Sequence, residues 1–83
     1  MRHVAKVEVG LKPGHSDPEG ETTKGSLSEL NYPVVSVRVS KVYEIGLEAS
    51  SLEEAERQVE EMCRRLLANP VKDSYTYGIE EVK

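Results

Sequence analysis

At 83 residues the chain is one domain's worth, and a domain of that size buries only about 60 to 65% of the surface its unfolded chain exposes. Its formal charge of −4, from 15 acidic against 11 basic residues, provides no basic footprint for a nucleic-acid backbone. No apolar run approaches the roughly 20 residues of a membrane span, and the single cysteine, Cys63, excludes an intrachain disulfide framework.

The opening MRHVAKVEVG lacks the charged-then-apolar pattern of a signal peptide. A cytoplasmic protein is therefore expected, and the lone thiol suits a reducing compartment. From His3 to Leu11, Ala5, Val7, Val9 and Leu11 are apolar while Lys6 and Glu8 face the other way. That alternation predicts a half-buried first strand. The segment LKPGHSDPEG (11–20) follows, with Pro-Gly turn chemistry and then Asp17-Pro18, an N-cap with proline at the first helical position. The helix it starts carries a weak stripe of Thr23, Leu27 and Leu30 and closes at Asn31 and Pro33. Gly20 and Gly25 each weaken it by up to about 1 kcal/mol relative to alanine, so docking must hold it.

In VVSVRVSKVYEIGLEA (34–49) the odd positions Val35, Val37, Val39, Tyr43, Ile45, Leu47 and Ala49 share one phase, broken only at Lys41. As a single strand it would extend roughly 50 Å, far beyond the usual five or six residues. Ser40-Lys41 is not the chemistry of a two-residue hairpin. Three forms remain: a less regular turn, a bulge near Ser40, or a long bent strand whose second half pairs with another subunit. The next stretch, SSLEEAERQVEEMCRRLLANP (50–70), predicts the clearest helix, with Ser51 as N-cap and Glu54 at capping-box spacing. Leu52, Ala55, Val59, Met62, Cys63, Leu66 and Leu67 form its apolar stripe, and Asn69-Pro70 ends it. Tyr75, Tyr77 and Ile79 alternate in a last strand, with residues 81–83 expected to fray.

Strand, helix, long strand or strand pair, helix, strand makes a single α+β domain over residues 1–83. It resembles a ferredoxin-like plait, an antiparallel sheet with two helices on one face. Its small size, and the long strand if it is one, lead to an expected dimer-forming chain, a homodimer or a higher oligomer.

No constellation supports catalysis by the chain alone. Cys63 lies on an apolar helix face and reads as a small core hydrophobe. His15 and Asp17 are two ligands in a loop without a further cluster, so no metal site is expected. Gly10, Gly14 and Gly20 with Lys12 match neither GxxxxGK[ST] nor GxGxxG spacing, and Asp17 as a cap would stand where an anion should bind. Lys41, which interrupts an apolar phase, is suited to face a partner or an anion.

Three motifs in order nevertheless resemble one family. LKPGHSDPEG is similar to the LKPGxxDPxG segment of the PurS subunit of phosphoribosylformylglycinamidine synthase, VRVSK to its VRVGK, and CRRLLANPV to its C-x-x-LLANPV. Ser40 stands where the family commonly has glycine, Thr22-Thr23 where it has small apolar residues, and VSKVYEIGLEA is a residue or two longer than usual. The resemblance implies an accessory purine-biosynthesis subunit, acting as a dimer without catalytic residues of its own. It joins a synthetase subunit, which uses ATP and Mg, to a glutaminase subunit, and aids ammonia transfer between them. Lys12, Pro13, Gly14, His15, Asp17, Arg38 and Lys41 are then expected on the docking surface. Pro18, Gly20, Cys63, Leu66, Leu67, Asn69 and Pro70 are expected to be structural. A second expectation, from the fold alone, is a regulatory module binding a small metabolite between subunits.

Overall fold

A computed structural model describes residues 1–83. Its elements run β1 (Arg2–Leu11), α1 (Pro18–Glu29), β2 (Lys41–Glu48), α2 (Leu52–Met62), a π-helical turn (Cys63–Leu67) and β3 (Asp73–Val82). The sheet is antiparallel in the order β2-β1-β3. Val7 of β1 lies between Tyr43 of β2 and Tyr77 of β3, and Ala5 between Ile45 and Ile79. The odd positions of all three strands therefore share one face, as the alternation in each strand requires.

That face carries the core. Ala5, Val7 and Val9 meet Val59, Cys63 and Ala68, with Tyr43, Ile45, Leu47, Leu67, Tyr75, Tyr77 and Ile79 packed around them. The helix that covers it is α2, whose start is capped as its sequence predicts: Ser51 Oγ accepts from the Glu54 amide at 3.1 Å. His3 continues the same face and is 1% exposed, its Nδ1 3.2 Å from the Met1 carbonyl oxygen. The opposite face is uncovered. No helix is long and apolar enough to cross a membrane.

Three local expectations are corrected. The helix from Ser51 does not stay α-helical to its end, because the Ala68 amide bonds to the Cys63 carbonyl five residues back. The widened turn retards the phase, so Ala68 comes under Cys63 into the core and Leu66 swings out to 83% exposure. Leu66 therefore leaves the apolar stripe. Second, residues 81 and 82 do not fray, since His3 pairs with Glu81 and Arg2 with Val82. The central strand gives them partners. Third, among the three forms left open for the 34–49 segment, the one whose second half pairs with another subunit is not taken, since Lys41–Glu48 pairs with β1 of its own chain. Residues 34–40 form no strand.

α1 and the 34–40 arm lie largely outside the packed unit. Gly20 is the one buried residue of α1, so neither Thr23 nor Leu30 is covered within this chain. The molecule measures 51 × 29 × 14 Å with a radius of gyration of 16.4 Å, against about 12 Å for a compact chain of this length. Leu30, Tyr32, Val35 and Val42 are 66, 58, 86 and 62% exposed.

The π turn has a measurable consequence. Leu66→Lys is expected to change stability by no more than about 0.5 kcal/mol, as at an ordinary surface site. Leu67→Lys, which puts a charge against the core cluster, should cost about 1 kcal/mol or more. Paired thermal melts decide it, and equal losses at the two positions would mean that the phase shift is not present in solution.

Candidate functional site

The three motifs that stand far apart in sequence meet at one corner of the sheet. Leu11 ends β1, and the Lys12 amide carries the ladder one step further by donating to the Lys72 carbonyl at 2.7 Å. Pro13 and Gly14 then reverse the chain. The His15 amide bonds to the Lys12 carbonyl at 3.3 Å, and Gly14 sits at φ 90°, the combination of a type II turn with proline and glycine at its centre. His15 is exposed at its tip.

Asp17 serves two segments at once. Its Oδ1 accepts from the Gly20 amide at 3.0 Å, capping α1 behind Pro18, and its Oδ2 accepts from the Val39 amide at 2.9 Å. These bonds, first that from Val39 and then that from Gly20, outweigh desolvation and with the nearby Arg38 hold the carboxyl below its ordinary value of 3.8. It is ionised throughout the neutral range. Gly20 is packed so tightly that a Cβ there would lie 2.5 Å from the Val37 carbonyl oxygen and 2.7 Å from Asp17 Oδ2. Glycine is required by close approach, with its backbone in ordinary helical geometry.

The two cations assigned to docking already hold backbone carbonyls. Lys12 Nζ donates to the Pro70 carbonyl at 2.8 Å, joining the first motif to the third. Arg38 Nη2 donates to the Leu11 carbonyl, joining the second to the first. Asn69 organises the remaining turn: its Oδ1 accepts from the Val71 amide at 2.9 Å, and its own amide donates to Asp73 Oδ2 at 2.8 Å. Lys41 makes no side-chain bond and stands exposed opposite Val9, at the last pair of the β1–β2 ladder. Cys63 is fully buried, and burial pushes its thiol up.

An open cleft of ≈ 400 Å³ runs over the corner, lined among others by Glu8, Pro13, Arg38, Ser40, Ser74 and Tyr75. Tyr75 is fixed from α2, its hydroxyl donating to Glu60 Oε2 at 2.7 Å. That bond, more than burial, raises its phenol above the ordinary value. No three His, Cys, Asp or Glu side chains gather where a metal ion would sit. The cleft is walled by a turn, an unpaired arm and a strand end, a geometry suited to receiving another chain.

An apolar arm stands beside the corner. Leu30 and Tyr32 lead into it from the end of α1 and Val35 lies within it, each more than half exposed. A run of β-branched residues with no strand left to pair with was the available signal.

The chain matches the family model described as PurS: Phosphoribosylformylglycinamidine (FGAM) synthase over residues 4–81. It is 49% identical over 74 residues to the phosphoribosylformylglycinamidine synthase subunit PurS of Archaeoglobus fulgidus, covering 88% of this chain and 92% of that one. To the same subunit from Bacillus subtilis it is 40% identical over 81 residues, 96% of this chain and 95% of that one. Among solved structures, Thermus thermophilus PurS superposes with a TM-score of 0.90 at 40% identity, with both chains fully covered. A chain of the PurLQS structure from Thermotoga maritima does so at 0.88 with 30% identity, covering 96% of this chain and 99% of that one.

Proposed function

This chain belongs to the PurS family of phosphoribosylformylglycinamidine synthase subunits, and from that membership we propose that it is the non-catalytic subunit that assembles the enzyme in the cytoplasm. It joins a synthetase subunit to a glutaminase subunit and aids passage of ammonia between them. Formylglycinamide ribonucleotide, ATP and glutamine are then consumed on the partner subunits, which also use the Mg, and formylglycinamidine ribonucleotide is released there.

The observation that carries this reading is the arm. A sheet covered on one face, with an unpaired 34–40 segment and four large apolar side chains more than half exposed beside it, is a surface built for another chain. A second copy fits it first. The chain alone has three strands where a ferredoxin-like plait has four, and an arm lacking a partner is completed by its symmetry mate. The motif corner, with His15 and Lys41 exposed around it, is assigned to the synthetase and glutaminase subunits. Family membership does not favour the metabolite-binding regulatory reading.

Reconstitution tests the assignment. The chain, the synthetase and the glutaminase subunits are mixed and ATP consumption is followed with glutamine or with free ammonia. Turnover with glutamine is expected to need this chain. Turnover with ammonia should persist at least in part without it. Glutamine-dependent activity that is indifferent to the chain overturns the proposal.

A further inference from the structure

Between Val34 and Ser40 only two backbone amides find partners within the chain: Val34, on the neighbouring Tyr32 carbonyl at 2.9 Å, and Val39, on Asp17 Oδ2 at 2.9 Å. The one other hydrogen bond tying the arm to the corner is that of Arg38 with the Leu11 carbonyl. Asp17 is thus the single group bonded both to the start of α1 and to the arm. Gly20, pressed against the Val37 carbonyl, brings the two within reach. We propose that Asp17 is a positioning residue that couples the start of α1 to the 34–40 arm, so that the path on which the arm leaves the sheet, and self-association through it, depend on this one carboxylate.

The physical reason is that a carboxylate offers an oxygen to each donor, whereas a side-chain amide has one acceptor oxygen and turns N–H groups to the other side. Asp17→Asn therefore cannot serve both amides. A capping role alone predicts that Asn, a good N-cap, behaves as the parent. Coupling predicts that it does not. The arm has no ladder bonds to fall back on, so the loss falls on its direction. The β1, β3 and α2 core, to which the Asp17 side chain makes no hydrogen bond, stays intact.

The proposal rests on the reading of the arm as a self-association surface, and the experiment separates the two. Self-association of parent, Asp17→Asn and Gly20→Ala is measured by sedimentation equilibrium, and amide exchange is followed at Gly20, Val39 and Val59. The expected result for Asp17→Asn is faster exchange at Gly20 or Val39, unchanged exchange at Val59 and a dimer weakened by about a hundredfold, the loss of one charge-assisted hydrogen bond in each of its two chains. Gly20→Ala, whose Cβ would press on both the Val37 carbonyl and Asp17 Oδ2, should weaken the dimer likewise. Parent-like association of Asp17→Asn with either amide released overturns the coupling. Should Asp17→Asn lose protection at Val59 as well, parent-like association of Gly20→Ala overturns it instead. A parent chain that stays monomeric at every concentration rejects the reading of the arm, and the coupling is then decided by whether Asp17→Asn releases the Val39 amide.

Discussion

Val59→Asp is expected to leave the chain without a cooperative melt at neutral pH. Val59 is fully buried against Ala5, Val7, Val9 and Cys63, so the substitution removes about 1.5 to 3 kcal/mol of burial and places a carboxylate where no donor can meet it. An unpaired buried charge costs several kcal/mol more. A chain of this length has only about 4 to 12 kcal/mol to lose. Val59→Ala isolates the packing part: about 2 kcal/mol, and a melting temperature lower by about 10 °C. The aspartate would carry a folded-state pKa raised above its unfolded value, so its penalty should lessen as pH falls through that raised value and return as pH rises. Circular dichroism melts at neutral and acid pH measure all three. A Val59→Asp chain that melts within a few degrees of the parent would show that α2 does not seal the sheet.

Val35→Glu is expected to act in the opposite place. At 86% exposure the side chain contributes nothing to the fold of one chain, and the melt of the monomer should be unmoved. In a two-fold assembly each residue occurs twice. Losing two buried valines at about 1.5 kcal/mol or more each, with a charge in their place, should weaken self-association by about a hundredfold or more. Glutamine-dependent turnover in the reconstituted enzyme should fall with it. Sedimentation equilibrium at several concentrations, beside the turnover assay, provides the check. Undiminished association would assign the arm to some other partner.

These two positions mark how far the sequence carries. Alternation in β1 and in β3 from Tyr75 to Ile79, the Ser51 cap and the Asp17-Pro18 start were legible because each depends on neighbours within a few residues. The family was legible for a related reason: its motifs are turn and cap chemistry, which a short string records in full. The partners of Lys12 and Arg38 were not, since Pro70 lies 58 residues from one and Leu11 27 residues from the other. Each cation holds a carbonyl that only the closed corner brings within reach. Leu66 was misplaced because spacing rules assume an unbroken α-helical phase, and a single widened turn after Cys63 shifts every later residue.

His3 makes the same point from inside the sheet. It opens the alternating first strand, and its place in the odd phase of β1, between Leu47 and Glu81, buries it. By itself the sequence determined the order of elements, the faces of the strands, the N-terminal caps of both helices and the family, because periodicity and turn chemistry are local. Tertiary structure alone decided which half of the 34–49 segment joins the sheet and which is left as an arm, and that three motifs converge on one corner through Asp17, Lys12 and Arg38. Those outcomes depend on which strand edges remain unpaired and which carbonyls come within reach once the chain has closed, and no window of neighbouring residues contains either.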